Sequence, residues 1–245
     1  MKYGIILAAG IGQRFGSELP KQFHDLDGKP VIIHTIEKFA LYNEKLKIII
    51  TIGKDYINYA HKIINEYLVK YTNQIIIVVG GKTRTESLIN ACNYIMENFE
   101  VNDDDIIITH DADRPFVNSR IIKDNIEMLK YADGVSTAID TNNSILEVNS
   151  NNIVSVPIRK NMKIVQTPQT FRLKEFVENY NSLTKEEKES LIEASKSYIL
   201  RNKNVKIVKG EIFNIKITTQ YDLEIARAII EKIFLKENKY GKWKN

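Results

Sequence analysis

The chain has 245 residues, 43% hydrophobic and 27% charged, the proportions of an ordinary globular protein with a sizeable core. Its 35 basic and 31 acidic residues leave a formal charge of +4, which suits a small anionic substrate. That excess is too mild and too scattered for a nucleic-acid surface. The lone Cys92 excludes an internal disulfide and a cysteine-based zinc cluster.

No apolar run approaches the roughly 18 residues of a membrane span. The opening run is short and leads straight into glycines, so it does not read as a signal peptide. The expected compartment is the cytoplasm.

In chain order, YGIILA (3–8) reads as a strand and VIIHTIEKFALY (31–42) as a helix. Strands are expected again at 47–51, 74–80 and 105–110, and helices at 55–68, 84–99 and 118–132. The strand runs lack polar alternation, as central parallel strands buried on both faces do. Strand–helix alternation of this kind gives an α/β fold with a doubly wound, mostly parallel sheet. Cys92 falls on the apolar face of the third helix and reads as core.

The rhythm breaks after Ala132. Residues 134–140 are strand-like, and 141–160 form short β segments around the turn SNNI. An isolated hairpin is only marginally stable, so this arm either packs on its own domain or reaches a second subunit; the second is favoured. Residues 183–199 read as one helix, with Thr184 and Glu187 at capping-box spacing. Residues 205–208 add a strand and 217–235 a helix, and the lysine-rich tail 236–245 is expected to fray. The whole chain, 1–245, reads as a single domain with 141–160 as the arm.

Glycines at 10, 12 and 16 give G-x-G-x-x-x-G, one residue off the dinucleotide fingerprint. That fingerprint also needs its helix to begin within the glycines, whereas the next helical pattern starts near Val31. No glycine-lysine-serine/threonine follows, so the nucleoside triphosphatase loop fails too. A long loop remains whose amides, with Arg14 and Lys21, could wrap a phosphate chain; a loop with incidental charges is the alternative.

GGKTRTES (80–87) follows the third strand, where open α/β sheets bind ligands. There Ser87 could meet a base edge and Arg84 could brace the loop. HDADRPF (110–116) follows the fourth strand. Asp111 suits a magnesium ion bridging phosphates, or else pairs with Arg114 in a structural turn. Asp113 shares these readings. The four histidines, His24, His34, His61 and His110, lie apart and read as structural.

These motifs, with QTPQTF (166–171) and NIKITT (214–219), occur in an order that resembles the cytidylyltransferases of sugar-alcohol phosphates over nearly the whole chain. Two members of that group compete: ribitol-5-phosphate cytidylyltransferase and 2-C-methyl-D-erythritol 4-phosphate cytidylyltransferase. The resemblance implies a Rossmann-like nucleotidyltransferase whose hairpin arm crosses a homodimer interface. It implies CTP and a polyol phosphate as substrates and a divalent cation, Mg2+, as cofactor.

It assigns Arg14, Lys21 and Lys216 to the triphosphate and the reacting α-phosphate. Ala8, Ala9, Gly10 and Gly12 lie along the nucleotide, and Gly81 and Ser87 near cytosine. Asp111 belongs to the acceptor and metal region, and Arg159 and Thr167 to the acceptor phosphate, with Arg159 serving the neighbouring subunit. Ser144 replaces a threonine on the arm. Two further departures add charge: Asp113 stands where a small or aliphatic residue is usual, and Lys82 where a small polar or acidic one is.

Within that resemblance, residues 183–200 and 208–230 look more like the ribitol enzymes, because methylerythritol enzymes usually have a shorter segment there. Ala9 argues the other way, since ribitol enzymes often have a glycine at that place. Ribitol 5-phosphate is therefore the expected acceptor, for surface-polysaccharide synthesis. Methylerythritol phosphate, of isoprenoid precursor synthesis, is the alternative. An inactive nucleotide-binding subunit is the non-enzyme alternative, opposed by the retention of Arg14, Lys21, Asp111 and Lys216.

Overall fold

The computed structural model describes residues 1–240. Its strands are β1 (Lys2–Ala8), the short pair β2 (Asp25–Leu26) and β3 (Lys29–Pro30), β4 (Lys47–Ile52), β5 (Ile75–Val79), β6 (Ile106–Asp111), β7 (Gly134–Asp140), β8 (Glu147–Asn149), β9 (Asn152–Ser155), β10 (Lys163–Arg172) and β11 (Val205–Lys209). Its helices are α1 (Val31–Tyr42), α2 (Ile57–Tyr67), α3 (Arg84–Asn98), α4 (Ser119–Met128), α5 (Leu173–Asn181), α6 (Lys185–Glu189), α7 (Ser195–Ile199) and α8 (Gln220–Tyr240). No described helix is long and apolar enough to cross a membrane. Of the tail expected to fray, 236–240 continue α8 and 241–245 lie outside the described residues.

Seven strands form one sheet in the order β11-β7-β10-β6-β1-β4-β5. All neighbours are parallel except β10, which runs antiparallel between β6 and β7. The sheet is therefore doubly wound and mostly parallel, as the alternation of elements predicts.

Side chains alternate between two dry layers. Ile6, Ile48, Ile50 and Ile108 pack against α1, α2 and α4, while Tyr3, Ile5, Ile49 and Ile107 pack against α3, α5 and α7. Both faces are covered, so β1, β4, β5 and β6 carry consecutive apolar residues rather than a polar alternation. Full burial contributes about 1.5–3 kcal/mol for each large aliphatic side chain. Cys92 sits in the second layer, where burial pushes its thiol pKa up.

One strand was not expected, and one expected helix is revised. Residues 163–172 form the long strand β10, which the polar motif QTPQTF does not advertise; its ladder to β7 is irregular between Gln166 and Gln169. The single helix expected over 183–199 is two short ones, α6 and α7. The capping box of Thr184 and Glu187 does open α6, but Ser190 closes it, its hydroxyl donating to the Glu187 carbonyl at 2.8 Å. The hairpin β8–β9 forms as expected but pairs only with itself, and no residue from 142 to 163 is buried. Within one subunit, then, the arm does not pack on its own domain.

Register fixes where the strand ends meet. Ala8 pairs with Ile52, Ile52 with Val79, and Leu7 with Asp111, so β1, β4, β5 and β6 finish level along one edge. The loops leaving that edge build the site.

Candidate active site

The loop after β1 turns at Gly12, whose φ of 67° lies in the left-handed region, and passes through a short 3-10 turn, Gln13–Phe15. Phe15 is buried against α8 and anchors the turn. The loop then folds back on itself: Gln22 Nε2 donates to the carbonyls of Ala8 at 2.7 Å and Gly10 at 3.0 Å. A Cβ on Gly12 would lie 3.1 Å from Lys21 Cγ, so the bare glycine is the track along which Lys21 crosses. Arg14 is exposed at the mouth. The dinucleotide reading fails here as spacing predicts, because no α-helix starts before Val31.

The second loop leaves β5. A Cβ on Gly80 would collide with the side chain of Ala9, so that glycine lets the two loops touch. Thr83 caps α3, accepting the Glu86 amide at 3.1 Å, and Glu86 accepts the Lys82 amide at 2.7 Å. Ser87 is buried; it accepts the Gly81 amide at 3.0 Å and donates to the Thr83 carbonyl at 2.9 Å. Its hydroxyl thus braces the loop, the role expected of Arg84. Arg84 instead crosses to β6 and donates through Nε to Asp111 Oδ1 at 3.0 Å.

Asp111 is the electrostatic centre. Besides Arg84, it takes Lys216 on Oδ2 at 3.0 Å and Arg114 Nε on Oδ2 at 3.4 Å. Burial alone would raise its pKa; Arg84, then Lys216 and Arg114, outweigh that and hold it well below the usual carboxylate range. Arg114 also donates to the Asn214 carbonyl at 3.0 Å, and Asn214 Nδ2 donates to the Thr167 carbonyl at 2.9 Å. Three motifs distant in sequence are thereby fastened under one carboxylate.

Ala8, Ala9, Gly10, Gly12, Arg14, Lys21, Gly81, Ser87, Asp111 and Lys216 all line one cavity of about 510 Å³. Three expected acceptor residues do not. Thr167 is buried beneath the site, its Oγ1 accepting the Asp111 amide at 3.1 Å. Ser144 and Arg159 lie exposed on the arm, where Arg159 donates to the Asn142 carbonyl at 3.3 Å. Sequence reasoning missed Gln22 and Asn214, which hold the loops, Gln22 also lining the cavity. Their only signal is their place inside the motifs LPKQF and NIKITT.

His24, His34 and His110 behave as structural residues, while His61 is exposed on α2. His110 is fully buried, and desolvation lowers its pKa to about 4. His24 bonds Ser17 and Leu19 of the first loop, and His34 the Leu26 carbonyl.

A magnesium ion was expected on Asp111, and both oxygens of that carboxylate are engaged by cationic side chains. Asp113, two residues on, fits better. Its Oδ2 contacts the Lys21 ammonium, and its buried Oδ1 has no hydrogen-bond partner among the described residues. One unpartnered hard oxygen suits magnesium, which takes one or two carboxylates together with substrate phosphates.

The model of the IspD family, 2-C-methyl-D-erythritol 4-phosphate cytidylyltransferase, matches residues 3–232. The chain belongs to that family. Among solved structures it is similar to the 2-C-methyl-D-erythritol 4-phosphate cytidylyltransferase of Francisella tularensis, at 30% identity and a TM-score of 0.75, covering 93% of this chain and 98% of that one. The 4-diphosphocytidyl-2C-methyl-D-erythritol synthase of Anaerococcus prevotii superposes with a TM-score of 0.77 over 94% of this chain and 96% of that one; at 24% identity it speaks to the fold. As a member of the IspD family, this chain is a cytidylyltransferase, a nucleotidyltransferase that uses CTP.

Proposed function

We propose that the chain transfers CMP from CTP to 2-C-methyl-D-erythritol 4-phosphate, releasing pyrophosphate. The observation that carries this reading is the family match over residues 3–232, joined to a cavity in which Lys21, Lys216 and Arg84 converge from three loops. The comparisons favour this acceptor over ribitol 5-phosphate. Residues 183–200 still speak for ribitol: that segment adds α6 and α7 and brings Glu193 within 3.9 Å of Arg84 beside the site.

In the proposed reaction an oxygen of the acceptor phosphate attacks the α-phosphorus of CTP. One P–O bond forms, the α–β bridging P–O bond breaks, and its electron pair leaves with pyrophosphate. A phosphate monoester near pH 7 is largely dianionic, with a second pKa of about 6, so no general base is required. The obstacle is repulsion between dianion and triphosphate. Arg14, Lys21 and Lys216 would relieve it by holding phosphate oxygens and developing charge. Asp113 would hold a magnesium ion, which would supply further neutralisation of the triphosphate charge.

The arm is proposed to complete the site of a second copy of this chain. Val148, Ile153, Val154, Val156 and Ile158 form an exposed apolar series along it, more than a monomer usually leaves to water. Arg159 and Ser144 would then meet the acceptor phosphate across the interface.

The experiment is a pyrophosphate-release assay with CTP, magnesium and a panel of polyol phosphates. The reading expects kcat/KM to be highest for 2-C-methyl-D-erythritol 4-phosphate. A preference for ribitol 5-phosphate would overturn the acceptor, and no release with any polyol phosphate would overturn the reaction.

A further inference from the structure

Lys21 enters the cavity already paired. Its ammonium contacts Asp113 Oδ2, and the two side chains are only 12% and 9% exposed. The backbone fixes both partners. Lys21 runs along Gly12, and its neighbour Gln22 is pinned to the carbonyls of Ala8 and Gly10. On the other side, the Asp113 carbonyl accepts the amide of Ile217, next to Lys216, at 2.9 Å. This contact joins two anchored loops, unlike a surface pair between two freely moving side chains.

The second oxygen is the telling one. Asp113 lines the cavity, and its buried Oδ1 has no hydrogen-bond partner among the described residues. A buried carboxylate oxygen left unpaired is costly and calls for an explanation. Asp111 offers none, because its own oxygens are engaged by Arg84, Arg114 and Lys216.

We propose that Asp113 makes this site select the cation-loaded triphosphate over the free one. In the nucleotide-free chain Asp113 neutralises Lys21. A triphosphate arriving without a cation meets a lysine whose charge is already compensated and a buried carboxylate of its own sign. A triphosphate arriving with a divalent cation supplies the partner that Oδ1 lacks. The Asp113 charge is then balanced by the cation, and Lys21 is released to the phosphate oxygens. No bond is made or broken in this exchange; counter-ions trade places. The inference rests on the reading of this cavity as the triphosphate site.

Isothermal titration of the full chain with CTP, once in EDTA and once in excess magnesium, tests it. For the wild type, magnesium should tighten binding at least about tenfold, within the usual range of coupling between two ligands. Asp113→Ala and the near-isosteric Asp113→Asn should each bind metal-free CTP at least about tenfold more tightly than wild type, so that the magnesium effect collapses toward one. If Asp113→Ala fails to fold, Asp113→Asn decides.

A wild-type magnesium effect near one, or an unchanged effect in the folded variants, overturns the proposal. Lys216→Ala in the same titrations separates the two levels. Weaker CTP binding in both conditions is expected. Unaltered CTP binding would mean that the triphosphate lies elsewhere, and both readings would fall. Weaker binding in Lys216→Ala, with an unchanged magnesium effect in the Asp113 variants, would overturn this inference alone.

Discussion

His110 gives the site a pH limit that can be worked out from its neighbours. Its Nε2 donates to the Arg114 carbonyl at 3.0 Å, and a carbonyl can only accept, so Nε2 carries the proton of the neutral ring. Nδ1 therefore accepts from the Thr167 hydroxyl at 2.9 Å, and Thr167 in turn accepts the Asp111 amide. Desolvation lowers the His110 pKa to about 4, against 6.5 for the unburied residue. Between these values the unfolded chain binds the proton first, so stability rises with pH. The contribution is complete above 6.5 and is lost as pH falls toward 4. At pH 4.5 the loss reaches about 2.5 kcal/mol, at 1.36 kcal/mol per pKa unit. Asp111, held well below the carboxylate range, loses its own contribution only at lower pH, below its unfolded value of 3.8. Urea unfolding of wild type and His110→Gln, from pH 7.5 to 4.5, reads the difference. The variant should be less stable at pH 7.5, and the gap should close by about 2.5 kcal/mol by pH 4.5. Parallel curves would refute the assignment of a neutral, buried His110.

Lys21→Ala should reduce turnover by about 10²-fold or more, as removal of a transition-state charge contact does. It should also cost stability, because Asp113 is left buried without its partner. Adding Asp113→Ala should restore thermal stability without restoring turnover; recovery of both would remove Lys21 from the chemistry. Arg159→Ala is expected to raise KM for the acceptor phosphate several-fold and leave KM for CTP unchanged, and an effect on CTP alone would misplace the acceptor pocket. Ile153→Asp combined with Val154→Asp should convert a dimer to a monomer in light scattering, since both side chains are exposed on the arm; a wild-type monomer at working concentration would refute the arm's role.

The parallel part of the sheet was legible because burial on both faces leaves runs such as KIIIT and DIIITH with no polar alternation to confuse the period. Strand β10 was not, and the reason is physical. Gln166, Thr167, Gln169 and Thr170 are all buried and held by partners that hydropathy cannot see, although Gln169 Oε1 has none among the described residues. Gln169 Nε2 donates to Ser136 Oγ at 3.0 Å, and the Thr137 hydroxyl donates to the Pro168 carbonyl at 2.7 Å. A polar strand can be core when its partners come from other elements, and no local window contains them. The expected helix over 183–199 failed for the opposite reason: the local signal at its start was right, but Ser190 ended the helix within six residues of Thr184.

At the site, the cations were legible because phosphate chemistry requires them, but of their counter-ions only the pairing of Arg114 with Asp111 was. Sequence alone assigns Arg14, Lys21 and Lys216 to phosphates, leaves Arg84 to brace a loop, and offers Arg114 only as a partner for Asp111. In the folded chain Arg84, Arg114 and Lys216 converge on Asp111, and Lys21 is held by Asp113. Among the described residues, Arg14 alone of these five makes no ion pair, and it stands exposed at the mouth. An incoming triphosphate would therefore meet Arg14 first and gain its other contacts by exchange with carboxylates already in place. Such a site would discriminate by what a ligand brings to those carboxylates as much as by the charge it carries. That is why Asp113, a departure in sequence, becomes the residue on which nucleotide selection is expected to turn.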